Sequence, residues 1–291
     1  MNFGVVSIIG TGLIGGSIGL GLKEKGLAKL VIGVGHRTVS INKALKIKAI
    51  DEDTTDIEKA VSRADIVILA TSVDLIPRLS KRVIPSMKRS AILTDVGSTK
   101  NYIVSQIDKE IKGKYDGKKS NFIGAHPLAG SEQRGIESAR SDLFEGSICV
   151  LTPTNLSSKK CITKISNLWR TLGAKVCILT PREHDEIVAF VSHLPHFVVS
   201  GLTSVVNEKH WKFAASGLRD TTRVASGDPK LWLNICKQNR AKLIKALRCF
   251  SKEIKYTLND LEQGNDNEIL KRLKKAKTVR DKYGKTDRSI H

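Results

Sequence analysis

Residues 4–17 read GVVSIIGTGLIGGS, and their reading decides the fold. The apolar run at 5–9 predicts a buried strand, and the glycines after it predict a tight turn into a helix. In the spacing Gly10, Gly12, Gly15 the first glycine permits the turn, the second lets backbone approach a pyrophosphate, and the third lets helix and strand pack closely. A dinucleotide would then rest its phosphates on the helix N-terminus, beside Gly12, Leu13 and Ile14. The first 22 residues imitate a secretion signal in apolar content, but they lack a basic leading segment and glycines at 4, 10, 12, 15, 16, 19 and 21 break them.

About twenty positions past Gly15, where an acid usually holds the two ribose hydroxyls of NAD, the chain reads VIGVGHRT at 31–38. Gly35 leaves room there, and Arg37 with His36 and Thr38 offers donors suited to a 2′-phosphate, so the corner predicts NADP, with NAD as the alternative cofactor. Arg37 also reads as a solvent-facing charge after a strand. Further β-branched runs follow at 65–71, 91–97, 122–126, 148–153 and 174–181, without the polar alternation of half-exposed strands. They predict an α/β fold with a doubly wound, mainly parallel sheet, and Thr71 and Ser72 after the third run join the expected cofactor contacts.

Beyond Thr180 and Pro181, a natural N-cap and first-turn pair, strand character ends. The expected division is a dinucleotide-binding domain over 1–180 and a helical substrate-binding and dimerisation domain over 181–291. In the second, Leu243, Leu247, Phe250, Ile254, Leu258 and Leu261 recur at helical spacing up to Gly264, an apolar stripe that predicts a homodimer.

The chain has 291 residues, 40% hydrophobic and 27% charged, which suits an ordinary packed core. Its net charge of +20 raises the question of nucleic acid, but the basic residues are dispersed. The densest run, Lys271 to Arg288, has almost no aromatic residue to stack on a base, so it reads as a solvated C-terminal helix. No stretch approaches the roughly 18 uninterrupted apolar residues of a membrane span. Five scattered cysteines without metal spacing fit a reducing cytoplasm.

Chemistry concentrates in TDVGSTK (94–100), GAHPLAGSE (124–132), EHDEIVAFVSHLPH (183–196) and GLRDTTRVASGDPKLW (217–232). The last places Arg219 and Arg223 on one face if it is helical. On the residues alone His126 is either structural or a base, and Ser98 reads as a helix N-cap. His184 and His193, nine residues apart, fall on opposite faces of a regular helix, and Pro195 interrupts it before His196, so no metal is expected.

Together with GTGLIGGS, these stretches in this order and spacing resemble the prephenate and arogenate (cyclohexadienyl) dehydrogenases of tyrosine biosynthesis. The resemblance covers nearly the whole chain and implies a Rossmann domain followed by a helical dimerisation domain. It implies loss of hydride from the C4 carbinol of a cyclohexadienol to a nicotinamide while the ring carboxylate leaves as carbon dioxide. His126 then matches the base at the C4 hydroxyl, and Ser98 the hydroxyl that orients base and substrate. Arg223 matches the arginine for a substrate carboxylate, with Arg219 one turn before it, or paired with Asp220. His184 and His196 match positions lining the substrate pocket, and Trp232 matches a tryptophan approaching from the neighbouring subunit. His196 leans the substrate choice toward prephenate, whereas Glu132 suits the ammonium of arogenate or a helix start. The rivals are a two-domain hydroxyacid dehydrogenase, which would place a lysine where this chain has histidines, and a nucleotide-binding regulator on RNA.

Overall fold

The computed structural model describes residues 2–35, 38–115, 120–130, 133 and 135–284. Strand and helix alternate from the first residues: β1 (Val5–Ile9), α1 (Leu13–Glu24), β2 (Leu30–Val34), α2 (Thr38–Lys46), β3 (Glu52–Thr54), α3 (Ile57–Arg63), β4 (Ile66–Leu69), α4 (Ile76–Ser86), β5 (Ile92–Asp95), α5 (Asn101–Tyr115) and β6 (Phe122–Pro127). Then come β7 (Ile148–Thr152), α6 (Lys159–Thr171) and β8 (Lys175–Ile178). The eight strands form one sheet in the order β3-β2-β1-β4-β5-β6-β7-β8. Pairing is parallel except between β6 and β7, which run antiparallel with His126 opposite Val150.

Two apolar layers sandwich the sheet. One gathers Ile8, Ile18, Leu22, Leu168 and Trp169, with Trp169 edge-on to Phe144 at 5.2 Å. The other gathers Ile9, Val67, Leu69, Val83, Ile103 and Ile107. Burial on both faces is why the strands read as unbroken β-branched runs. The exceptions are the two edge strands: β3, whose Glu52 and Asp53 are exposed, pairs only with β2 and gave no apolar signal, and β8, expected from its apolar run to be buried on both faces, has Lys175, Cys177 and Ile178 exposed because it pairs only with β7.

Every named element after Ile178 is helical: α7 (Pro181–Val188), a π-helical turn (Ala189–His193), α8 (Leu194–Val205), α9 (Ser216–Thr222), α10 (Pro229–Gln238), α11 (Arg240–Glu262) and α12 (Asp266–Gly284), with short 3-10 turns between. Thr180 caps α7 and closes a capping box with Glu183. Compact packing groups the chain up to Arg240 as one unit and the chain from Ala241 as another. In the second unit α11 and α12 fold back at Gly264, in the left-handed region at φ +64°, and Arg272 donates to Asp260 at 2.9 Å and to Glu253 at 3.3 Å. Leu243 is buried, whereas Ile254, Leu258 and Leu261 are exposed.

Pro181–Val205 is a continuous helical run of 25 residues that contains an 18-residue stretch of mean hydropathy 1.4, long and apolar enough by length and composition alone to cross a membrane. The run also carries His184, Asp185, His193 and His196, all buried, and hydrocarbon penalises such ionisable groups strongly.

The glycine turn generates a paired prediction. A Cβ on Gly15 would stand 2.0 Å from the Gly10 carbonyl oxygen, whereas one on Gly12 meets nothing within 4 Å. Gly15→Ala should therefore cost about 1–3 kcal/mol of stability through overpacking, read as a lowered Tm. Gly12→Ala should leave Tm unchanged and weaken dinucleotide binding in titration calorimetry.

Candidate active site

The first turn of α1 carries no acidic side chain and no side-chain cap, so its amides face a cleft of about 540 Å³ lined by Gly12, Leu13, Ile14, Thr71 and Ser72. Gly10, at φ +100°, makes the turn; a Cβ there would lie 2.6 Å from the Ala70 carbonyl oxygen. The buried Thr71 hydroxyl has no partner among the described residues. Open space at Gly12, uncapped amides and an orphaned hydroxyl fit a dinucleotide pyrophosphate. His36, Arg37 and Glu132 lie outside the described residues, as does the side chain of Thr38, whose backbone opens α2.

A second cavity of about 490 Å³ adjoins the cleft, lined by His193, Arg223, Val224 and Trp232. Ser98, His126, Ala129, Asp228 and Leu231 line both. His126 and Ser98 thus stand where the two cavities meet.

Behind His126 runs a chain of hydrogen bonds. Its Nδ1 lies 2.8 Å from His184 Nε2, and His184 Nδ1 lies 2.8 Å from Asp185 Oδ1. Asp185 also accepts the backbone N–H groups of Lys100 at 2.7 Å and Asn101 at 3.0 Å, so it, rather than Ser98, satisfies the start of α5. A carboxylate only accepts, so His184 carries its proton on Nδ1 and its Nε2 accepts from His126 Nδ1–H. His126 Nε2 is left with a lone pair. Burial pushes the His126 pKa well below the usual imidazole value, and the positive potentials of His184, Lys100 and His193 add to this. Burial also lowers His184, against the opposing pull of Asp185. The group at the junction is a neutral imidazole ready to take a proton.

The helical phase differs from expectation. The π-helical turn over Ala189–His193 puts more residues into each turn and so lowers the rotation per residue, and it accommodates Pro195 without ending the helix. His193 therefore joins the same site as His184: its Nδ1 lies 3.3 Å from Asn239 Nδ2, which also donates to the Asp185 carbonyl at 2.7 Å. Burial holds the His193 pKa at about 4. His196 stacks on Trp232 at 3.6 Å and 9°, while His193 meets the same indole edge-on at 6.1 Å.

Several sequence-derived residues stand elsewhere than expected. His184 is fully buried and backs His126 instead of lining a cavity. His196 lies behind Trp232, which lines the second cavity. The helix expected to carry both arginines holds only Arg219 and ends at Thr222, and a 3-10 turn begins at Arg223. Arg223 lines the second cavity; exposed Arg219 donates through Nε to the Ala214 carbonyl at 3.1 Å and lines neither.

The sequence reading missed Asp185 and His193 as site residues, and it missed α10 as a wall of the cleft. Asn234 donates to Asp74 at 2.8 Å, and Gln238 donates to the Val73 carbonyl at 2.8 Å and accepts from Thr99 at 2.6 Å. These bonds hold Lys230, Leu231 and Asn234 against the nucleotide side. Among the described residues no three metal-ligating side chains converge.

Comparison with known proteins agrees with this geometry. Residues 18–178 match the family model for the prephenate dehydrogenase nucleotide-binding domain, and residues 180–275 match that for the prephenate dehydrogenase dimerization domain. Prephenate dehydrogenase of Bacillus subtilis is 32% identical over 95% of this chain and 75% of its own. The crystal structure of prephenate dehydrogenase from Aquifex aeolicus, in complex with hydroxyphenyl propionate and NAD+, superposes with a TM-score of 0.88 at 30% identity, covering 97% of this chain and 98% of that one. Synechocystis arogenate dehydrogenase gives a TM-score of 0.80 at 30% identity over 96% and 99%. The chain is an oxidoreductase that uses a nicotinamide cofactor, and it belongs to the prephenate dehydrogenase family.

Proposed function

We propose that this protein oxidises prephenate to 4-hydroxyphenylpyruvate with loss of carbon dioxide, accepts arogenate at some level, prefers NADP+ to NAD+, and works as a cytoplasmic homodimer. The observation that carries the reading is the neutral His126 at the meeting point of a dinucleotide cleft and a cavity holding Arg223.

When bound, the nicotinamide accepts the C4 hydride. His126 Nε2 takes the C4 hydroxyl proton, the electron pair of the breaking bond to the ring carboxylate completes the aromatic ring, and the proton returns from His126 to the same oxygen to give the phenol. Ser98, on the rim of both cavities, is placed to orient the alcohol. Arg223 supplies the cation for a substrate carboxylate, a charge-assisted pair that water exclusion strengthens. Gly35, standing where NAD-binding folds usually carry an acid, supports a 2′-phosphate beside Arg37. The exposed flanks of the apolar helices, including Val191, Val205 and Leu258, support burial against a second copy. The free cysteines support a reducing compartment.

Assay of the purified protein with both substrates and both cofactors tests this reading directly. We expect higher kcat/KM with NADP+, narrowed or reversed by Arg37→Ala; turnover of arogenate alone would overturn the substrate assignment. His126→Asn should keep cofactor binding and lose about 10²- to 10⁴-fold in kcat, the usual worth of a general base; near-normal turnover would remove His126 from that role. The lowered His126 pKa places the active, unprotonated form across neutral and mildly acidic pH. A kcat/KM profile should therefore stay flat below the ordinary imidazole value and fall only at more acidic pH, and an acid limb centred near neutrality would refute this assignment.

A further inference from the structure

We propose that the buried Lys100–Asp95 ion pair is a positioning device for the proton-transfer step, locking the turn that carries Ser98 to the strand that carries His126. The inference rests on the reading of His126 as the base.

Both side chains are fully buried and pair directly. Asp95 ends β5, and its Oδ2 also accepts the Gly97 N–H at 2.9 Å, inside the turn that presents Ser98. Its Oδ1 reaches across to β6 and accepts the N–H of Ala125, the residue before His126, at 3.2 Å. One carboxylate therefore fixes both sides of the proposed reaction centre.

Lys100 completes the circuit. Its stem runs beneath β6, where a Cβ on Gly124 would lie 3.5 Å from Lys100 Cδ. Its backbone N–H donates to Asp185, which holds His184, which holds His126. From His126 the path returns through Ala125 to Asp95, so imidazole, serine turn and ion pair form one closed ring of contacts.

Stability alone explains such a pair poorly, because well-packed neutral side chains often replace a buried ion pair without loss or with a gain. Its field also acts on the base. The groups facing His126 are Lys100 from the start of α5, His184 with Asp185 behind it on α7, His193 from the π-helical turn, and the buried Cys149 thiol on β7. Lys100 is the fixed cation in this set, and an imidazolium at His126 would meet it as a like charge.

The test compares the unmodified enzyme with Lys100→Met and with the double variant Asp95→Asn plus Lys100→Met, which leaves no unpaired buried charge. Imidazole NMR titration of His126, identified by the signal absent from His126→Asn, is read beside kcat, KM and cofactor affinity. We expect folded variants with cofactor affinity unchanged, a kcat lowered about 10²-fold by misplacement, KM altered little, and a His126 titration and acid limb moved up by about one pH unit. Unchanged kcat and titration in a folded variant overturn the proposal. So does failure of both variants to fold, since it assigns the pair to stability, and so does a kcat loss without any change in the titration or pH profile. If the unmodified protein oxidises neither substrate, the reaction assignment fails, and the NMR titration still decides the influence of the pair on His126.

Discussion

The Asp185 carboxylate, 2% exposed, accepts from the first amides of α5 and from His184. Three separate requirements meet there. The start of α5 needs acceptors for its free N–H groups, and its dipole favours a negative charge. His184 needs a fixed tautomer, and through it His126 needs an unprotonated Nε2. The Asp185 carbonyl further accepts from Asn239, which reaches His193. Sheet, first helical segment and α10 are thereby held to one point, and the two cavities owe their common wall to it.

Around that point the protein concentrates imidazoles that burial keeps neutral. His126, His184, His193 and His196 all have pKa values below the ordinary one, with desolvation as the largest cause in each. Unfolded, they would take protons near pH 6.5; folded, they resist. Since the unfolded chain binds more protons in that range, stability rises with pH and declines as pH falls from about 6.5 toward the folded values. The arrangement that keeps a base available thus makes the fold itself acid-sensitive.

Much of this was legible in the residues because burial on both faces writes strands as β-branched runs and because a pyrophosphate turn requires glycines at fixed offsets. The strand β3 was not, being three polar or exposed residues ordered only by the neighbouring β2. Nor was the reversal at β7, since a buried strand reads alike in either direction. In the site, His126, Ser98 and Arg223 followed from motifs at strand and helix ends. His184 was found but given the wrong neighbours, because a histidine that touches a ligand and one that touches another histidine leave the same trace in a sequence. Asp95 and Lys100 left none: their pairing depends on a turn between them, and a lysine ordinarily signals solvent.

The π-helical turn over Ala189–His193 carries one further consequence. It sets the angular register between the half-helix bearing His184 and Asp185 and the half bearing His196. Side chains along this stretch can change while that register survives. A single-residue deletion within it would keep composition and hydropathy nearly constant, yet shift its hydrogen bonds from i→i+5 toward i→i+4 and change the angle between the two halves. Here the length of the chain is under tighter constraint than its spelling, and descendants of this sequence would tolerate substitutions across the turn far more readily than gaps.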